Sequence, residues 1–524
     1  MTVPNGPADT ATFDVSSTTN LTFSALTEVN GITFDSGASA YTINVIPPVV
    51  LTISGAGIVN NSGTTQNFIT RDHGGKFGVI SFTNSATAGN GNMFANYGSS
   101  EAGNVATTEF HDTSNAGTST IINVGPTSDF SGGGVTSFYD QSSAAASTVV
   151  SRGPLVDILD GGPSVTNFFN SSTASNATLV AEGARVSADS NGEIDFYDQS
   201  TAENANITVQ GGNFGRLDFY DDSTAANATI TNGGFMDFGD SSSAGNATIV
   251  LQSPVGDGNT TFFDGSSSGG TAALQILGAS TLDIEIHNVP GLSTGSIAGD
   301  GTIQLGQRNL TVGTNDQSTT FSGLIEDQST AGSLSKVGLG TLTLGGANTY
   351  AAGTTVTAGT LLVNNTTGSA TGTGPVQVNA GILGGGGIIS GAVAIGTGRG
   401  TGAYLAPAAG TTGNRVLTVQ SGLTLKSDAT YTDTFIATAG GARVDEVIAN
   451  GVTIKNATIA LEGIVQGRLR QGTVLTLISN TGANPISGTF QNLPEGAVVV
   501  VDGNNLQASY AGGDGNDLTL TAVK

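Results

Sequence analysis

A short glycine-rich segment near the C-terminal end of the chain has the residue types of a calcium site. It reads GGDGNDLTL from Gly512 to Leu520 and fits a nonapeptide pattern in which backbone carbonyls and Asp carboxylates share the ion. A single copy lacks the neighbouring turn that normally completes the oxygen ligands. Asp514 and Asp517 are therefore candidate calcium ligands, the favoured alternative is a tight turn before the last strand, and no other cofactor is expected.

A second set of acids recurs, directly after an aromatic pair in most copies, in a motif that is repeated along the first half of the chain. If equivalent residues stack at about 5 Å, their carboxylates repel one another at low dielectric. They should then be solvated, hydrogen-bonded to turn amides or bridged by cations, and capping of turns is the favoured interpretation. The recurring acids are Asp140, Asp198, Asp221, Asp240 and Asp264.

Adjacent acids are poor candidates for catalysis. The pairs Asp221-Asp222, Glu326-Asp327 and Asp445-Glu446 are neighbours in sequence, and neighbours on a strand point to opposite faces. The three His residues lie far apart and there is no Cys. We predict no catalytic residues and no enzyme activity, while a carbohydrate-active enzyme, a polysaccharide lyase or hydrolase, stays open as the alternative.

The acids belong to a unit that returns between residues 82 and 275: an aromatic pair, an Asp, a small polar run and then Asn-Ala-Thr before a β-branched residue. Its clearest copies start 30, 28, 23, 19 and 24 residues apart, which is typical of the coils of a solenoid. The first aromatic residue of each copy should stack inside. These residues are Phe138, Phe168, Phe196, Phe219, Phe238 and Phe262.

The Asn residues of the same unit should form a ladder at a turn. Asn tolerates left-handed backbone angles, and its amide can bond to the copies above and below. This structural interpretation of Asn176, Asn227 and Asn246 outweighs glycosylation, although Asn-Ala-Thr matches the acceptor pattern.

Short alternating runs bounded by Gly, Asn, Ser or Asp predict strands, and 79 Gly with only 10% charged residues leaves little material for helices. The sequence predicts an all-β protein, an elongated, right-handed parallel β-helix with a more irregular β section at its C-terminal end. Four segments are expected: a strand-rich 1–80, the Phe/Asp/Asn-Ala-Thr repeats of 81–275, Gly/Thr/Leu-rich repeats over 276–425, and the C-terminal section 426–524.

The net charge excludes one class of partner. A formal charge of −25 leaves no basic stripe for phosphate groups, so no nucleic-acid binding is expected. No apolar run is long enough to span a bilayer, so no membrane insertion is expected either. Without Cys, rigidity must come from stacked hydrogen bonds.

Residues 334–363, LSKVGLGTLTLGGANTYAAGTTVTAGTLLV, resemble the autotransporter-associated β-strand repeat. Gly338 and Gly340 occupy tight turns of that pattern, and Asn348 and Tyr350 should close a turn over an apolar layer. The resemblance implies a secreted bacterial protein, extracellular or on the cell surface.

The leading functional hypothesis is a non-enzymatic extracellular rod. Such a rod either self-assembles into fibres or a matrix, or acts as a surface adhesin. Its expected partners are copies of itself, joined head to tail or through terminal strands, and surface glycans, and a glycan-binding passenger is a further alternative. Strand-like sequence at both ends of the chain, including DLTLTAVK, predicts open edges for self-association.

Overall fold

The computed structural model describes most of the chain and divides it into two units, residues 1–282 and 283–524. The boundaries of the four predicted segments stay predictions. The described residues are 3–23, 25–73, 76–98, 105–155, 161–184, 190–211, 215–253, 259–328, 330–410, 416–438, 441–465 and 468–524.

Strands and turns make up the described residues, which contain no helix. In each unit, parallel strands from successive coils stack on one another, so the predicted all-β solenoid is confirmed. No helix in the described ranges could cross a membrane.

The first unit contains two parallel sheets, and successive coils contribute one strand to each. The first sheet contains Gly6–Phe13, Thr27–Phe34, Val50–Asn60, Val79–Phe82, Thr107–Phe110, Val135–Phe138, Ser164–Phe168, Gly192–Phe196, Arg216–Phe219, Phe235–Phe238 and Thr260–Phe263. The second sheet contains Asn20–Phe23, Thr42–Val45, Gln66–Thr70, Asn90–Asn96, Thr118–Asn123, Thr148–Ser151, Thr178–Ala181, Asn206–Val209, Thr229–Asn232, Thr248–Gln252 and Gly269–Leu277.

Two smaller features complete the list of strands up to residue 283. Asp72–His73 and Lys76–Phe77 form a short antiparallel pair, and Thr281–Asp283 is a three-residue strand at the division between the units.

A continuous column of phenylalanine rings fills the core of the first unit. Neighbouring rings lie nearly parallel, with centroids 4.6 to 4.9 Å apart, and each ring is fully buried. Because the strands pair in register, each ring lies over its equivalent in the next coil. The members are Phe82, Phe110, Phe138, Phe168, Phe196, Phe219, Phe238 and Phe263.

The assignment of Phe262 to this column is wrong by one residue. Phe263 pairs with Phe238, and Phe262 lies opposite Asp237 on the outer side of the strand, against Phe235. Since side chains alternate between faces, only one of two consecutive phenylalanines can point inward. In the copy FFDG, the second phenylalanine therefore takes the inward place that the first phenylalanine takes in the other copies.

In the second unit, short parallel strands of successive coils pair in ladders. Its coil strands are Ser293–Gly299, Thr302–Gln304, Asn309–Val312, Thr319–Phe321, Leu324–Glu326, Ser333–Lys336, Thr341–Leu344, Gly353–Val356, Thr360–Val363, Val376–Val378, Gly381–Gly385, Ile388–Ile389, Val393–Ile395, Ala403–Pro407, Val416–Val419, Leu423–Leu425, Ala429–Thr438, Gly441–Arg443, Glu446–Ala449, Val452–Ile454 and Thr458–Val465. Of these, Gly441–Arg443 pairs antiparallel with Ala429–Thr438.

Pairing changes from parallel to antiparallel in the C-terminal section. Val474–Asn480 continues a ladder in parallel with Glu446–Ala449. It then pairs antiparallel with Asp517–Val523, which pairs with Asn504–Gly512, which in turn pairs with Val498–Val501. The expectation that DLTLTAVK forms an open edge is wrong, because this strand lies between two others.

We expect the phenylalanine column to dominate the stability of the first unit. Phe219→Ala should lower the free energy of unfolding by about 3 to 5 kcal/mol, because it removes a buried ring between two stacked neighbours. Thermal unfolding followed by circular dichroism measures the change. The exposed Asp222→Ala in the same coil is the control and should stay within about 0.5 kcal/mol; equal effects at the two positions would contradict the assignment of faces.

Candidate functional site

The recurring acids cap one turn of each coil in the first unit. Each residue of the column has left-handed backbone angles, with φ of 52° to 56°. In every member but the last, the backbone N–H donates to the side-chain oxygen of its equivalent in the next coil over 2.7 to 3.3 Å. The column therefore caps turns, as the sequence favours, and its members are Asn84, Asp112, Asp140, Asn170, Asp198, Asp221 and Asp240.

Asp264 does not belong to this column, for the same reason as Phe262. Gly265 takes the left-handed place, with φ of 54°, directly against the backbone of Asp240. Asp264 instead follows Gly239 in the adjacent outward column, because the register is set by Phe238 and Phe263.

The Asn residues also lie at a turn, but they do not supply its left-handed angles. The residue before each Asn has φ between 48° and 57°, and its N–H donates to a hydroxyl two residues earlier, as Ala226 does to Thr224 over 3.0 Å. Asn246 donates to Asn227 over 3.2 Å, and Asn176 is exposed in the same column. The Thr or Ser hydroxyl stabilises this turn and lets Ala226 adopt the conformation.

The outer face of the first sheet carries a second column of rings. Four successive pairs stack with centroids 4.8 to 5.4 Å apart and planes within 18°. Unlike the core phenylalanines, these rings are half-buried. They are His111, Tyr139, Phe169, Tyr197 and Tyr220.

Beside this ring column lies a group of charged residues that we name the acidic strip: Glu193, Asp195, Arg216, Asp218 and Asp237. Asp195 pairs with Asp218 and Asp218 with Asp237 across neighbouring strands. Asp195 is only 5% exposed and Asp218 only 2%. The strip thus places three carboxyl groups one above another, two of them with little contact to water.

Arg216 is the cation of the acidic strip. Its Nε donates to Asp218, and its Nη2 donates to the hydroxyl of Tyr220 over 3.1 Å. Its guanidinium also lies 4.8 Å from the ring centroid of Phe235 in the next coil. The acidic strip thus has four carboxyl groups and one guanidinium, which contacts Asp218. Three carboxyl groups are left without a cation from the strip.

Burial shifts the pKa values of the remaining acids upward. It raises the pKa of Glu193 to about 7, against the opposing effect of Arg216, and the pKa of Asp237 to about 7, helped by Asp264 and Asp218. Burial and then the carboxyl of Asp218 hold the pKa of Asp195 well above its ordinary value. Protonated Asp195 can donate a hydrogen bond to Asp218, which relieves the repulsion between them.

Sequence reasoning did not find the acidic strip. The signal is present: the residues one and three places before the inward Phe are Asp195 and Glu193 in one coil, and Asp218 and Arg216 in the next. These places point outward on a strand.

Residues 334–363, which resemble the autotransporter-associated repeat, span two successive coils of the second unit. Gly338 has φ of 65°, and a Cβ there would lie 1.8 Å from the carbonyl oxygen of Gly313. A Cβ on Gly340 would lie 2.2 Å from the carbonyl oxygen of Gln317. Both places therefore require glycine, because the backbone of the preceding coil passes too close for a side chain.

Polar side chains close the turns of this segment from within. Lys336 is 1% exposed, and its Nζ donates to the carbonyls of Val337 and Gly338 over 2.5 and 3.0 Å; burial lowers its pKa to about 8. Asn348 accepts from the backbone N–H of Ile325 over 2.8 Å. The hydroxyl of fully buried Tyr350 is 2.6 Å from that of Thr354.

The calcium candidates lie at the last hairpin, Asp514 in its turn and Asp517 at the first position of the strand that follows. Asp514 is exposed, whereas Asp517 is 9% exposed and accepts from the backbone N–H of Asn480 over 2.8 Å. Across the residues that the structure describes, no three His, Cys, Asp or Glu side chains converge as metal ligands. The geometry is that of the tight turn that the sequence favours.

A shallow cavity of about 430 Å³ lies in the second unit. The N–H at Arg308 Nε donates to the carbonyl of His287, which fixes that side chain at the wall. Burial raises the pKa of Glu285, helped by Asp283 and Glu326. The lining residues are Glu285, Ile286, Gly306, Gln307, Arg308, Gln328 and Thr330.

Comparison with known proteins identifies the class of repeat. Residues 334–363 match the model of the passenger-associated-transport-repeat, which confirms the resemblance over these residues. The chain is also 43% identical over 111 residues to the adhesin BmaC autotransporter of Brucella suis biovar 1 (strain 1330). That alignment covers 20% of this chain and 3% of the adhesin, so the chain spans a small part of that relative.

The Hap adhesin of Haemophilus influenzae is a solved structure to which the chain is similar. The alignment covers 96% of this chain and 63% of that chain at 10% identity, with a TM-score of 0.27. At that score the comparison supports no conclusion about this chain. The repeat and the sequence relative indicate a secreted bacterial protein of the cell surface.

We expect the acidic strip to make stability depend on pH. Glu193 and Asp237 have folded pKa values near 7, above their ordinary values, so folding favours their protonated forms. This contribution is fully present below about pH 4 and is lost as pH rises through 7. Unfolding of the first unit should therefore need less denaturant at pH 8 than at pH 5.

The substitution Asp195→Asn tests the cause. An amide can donate to Asp218 at every pH, so the variant should be more stable than the parent by about 1 to 2 kcal/mol at pH 8, with a smaller gain at pH 5. Asp222→Asn makes the same charge change at an exposed place and is the matched control. The same gain in both variants would attribute the effect to net charge.

Proposed function

We propose that the protein is the surface-exposed passenger of a bacterial adhesin and that it works without enzyme activity. The main support for this proposal is the match of residues 334–363 to the passenger-associated-transport-repeat. These residues form regular coils, and their glycines and buried polar groups allow one coil to pack closely on the next. The adhesin relative from Brucella suis supports the same class. A stack of coils presents outward side chains in columns, as in the outer ring column, and such columns suit repeated weak contacts with a surface.

The burial of the acidic strip supports a function without catalysis. Asp195 and Asp218 lie opposite each other on neighbouring strands, and each has 5% or less of its surface exposed. Arg216 contacts both Asp218 and Tyr220, so a polymer substrate must displace Arg216 to reach the carboxyl of Asp218. The strip therefore supports a structural role better than acid–base chemistry.

Beads coated with the purified chain should attach to cultured epithelial cells in a saturable way, and free chain should compete. The reason is that repeated outward side chains give many simultaneous contacts. Beads coated with the same protein after heat unfolding provide the control. Attachment no greater than that of albumin-coated beads would contradict the proposal.

We further propose that the cavity around Arg308 binds a neutral saccharide unit of a surface glycan. The amides of Gln307 and Gln328 and the guanidinium of Arg308 offer donors, Glu285 offers an acceptor, and Ile286, 62% exposed, offers an apolar contact. A few polar groups placed around an apolar contact are typical of ligand sites. The neighbouring acids make an anionic sugar unfavourable.

Saturation-transfer NMR with N-acetylglucosamine, galactose and glucose tests this site. At least one sugar should bind, and Gln328→Ala together with Arg308→Gln should weaken its binding at least tenfold. Arg399→Gln, at an exposed loop of the same unit, is the matched control. Binding that is unchanged in the double variant, or absent for all three sugars, would contradict this site but not the adhesin proposal.

A further inference from the structure

The C-terminal sheet ends in an edge strand of four valines. Within the described part of the chain, Val498–Val501 pairs only with Asn504–Gly512, through the tight turn at Asp502 and Gly503. No other described strand pairs with the N–H and C=O groups on its other side, so it is an edge strand among the described residues. An edge of this kind accepts an added strand unless a charge, a proline or a bulge blocks it.

None of these blocks is present within the edge strand. Its sequence is VVVV, and its register with Asn504–Gly512 runs without a bulge. Val498 is 53% exposed and Val500 is 68% exposed, so one face of the strand presents apolar surface to water. Val501 points to the opposite face and is buried, close to the backbone of Gly463.

The strand is complementary to itself. A twofold axis perpendicular to the sheet places the edge strands of two copies side by side and antiparallel. The exposed faces of the two strands then lie on the same side of the joined sheet. With Val499 opposite Val499 of the second copy, Val498 of each copy lies opposite Val500 of the other. The exposed valines then cover one another as cross-strand pairs, which stabilise antiparallel sheets. The same register places Asp502 opposite Gly496, so no like charges face each other directly.

We propose that the chain forms a twofold dimer through Val498–Val501, in which the two seven-stranded sheets join edge to edge. The partner is a second copy of this chain. Because the shared edge is only four residues long, the contact buries less surface than a permanent dimer needs. The dimer is therefore concentration-dependent, and it forms whether or not the adhesin proposal holds.

Analytical ultracentrifugation over a concentration range measures the association. The weight-average mass of the full chain should rise toward that of two copies, and Val500→Lys should shift the midpoint to at least tenfold higher concentration. Gln507→Lys is the matched control, since Gln507 is exposed on the neighbouring strand opposite Val498. A chain that stays monomeric at high concentration, or an equal shift in both variants, would overturn the proposal.

Cross-linking tests the register independently of stability. The chain has no Cys, so Val499→Cys introduces a single thiol that faces its own copy at a Cα distance compatible with a disulfide. Under mild oxidation this variant should form a covalent dimer at least tenfold faster than Val474→Cys, which places a thiol at an exposed site on another strand of the sheet. Equal rates would show that Val499 does not lie at a twofold axis.

Discussion

In-register pairing of parallel strands is the constraint on which the other features depend. Once Phe196 pairs with Phe219, each side chain of one coil must lie about 4.8 Å from its equivalent in the next. A residue type that tolerates a copy of itself at that distance can be repeated along the unit. Phenylalanine does so by stacking its rings, which places an aromatic column through the core of the first unit.

The same constraint is unfavourable for acids, and the chain accommodates them in two ways. At the turns, each carboxylate accepts a backbone N–H from its equivalent in the preceding coil, as Asp221 does from Asp198, so the negative charge contributes a hydrogen bond. On the sheet, the backbone amides of the strands beside Asp195 take part in strand pairing. Its carboxyl therefore lies beside that of Asp218 without a backbone N–H to neutralise the repulsion. Protonation and the single guanidinium of Arg216 then reduce the repulsion, which ties the stability of these coils to pH.

The sequence predicts the features that repeat and fails where a repeat is altered. Strands, the solenoid and the inward phenylalanines follow from spacing and alternation alone. The exception is the copy FFDG at Phe262. Aligned by sequence, Phe262 corresponds to Phe238, but in the paired strands Phe263 lies opposite Phe238. The acidic strip is not evident from the repeat, because its residues lie on the outer face of the strands and other copies have Ser137 and Asn167 at the equivalent places. Asp195 lies opposite Asp218 of the next coil, which Arg216 contacts, and one copy of the motif does not reveal this relation.

The change from parallel to antiparallel pairing decides where another strand can be added to the second unit. In parallel stacking, each new coil lies on the previous one, and Val474–Asn480 still follows this pattern. Asp517–Val523 then pairs on both of its sides, which leaves Val498–Val501 at the edge of the sheet. An antiparallel edge of this kind can pair with a copy of itself across a twofold axis and stop at two chains. A head-to-tail contact has no such limit, since each added copy presents the same free end again.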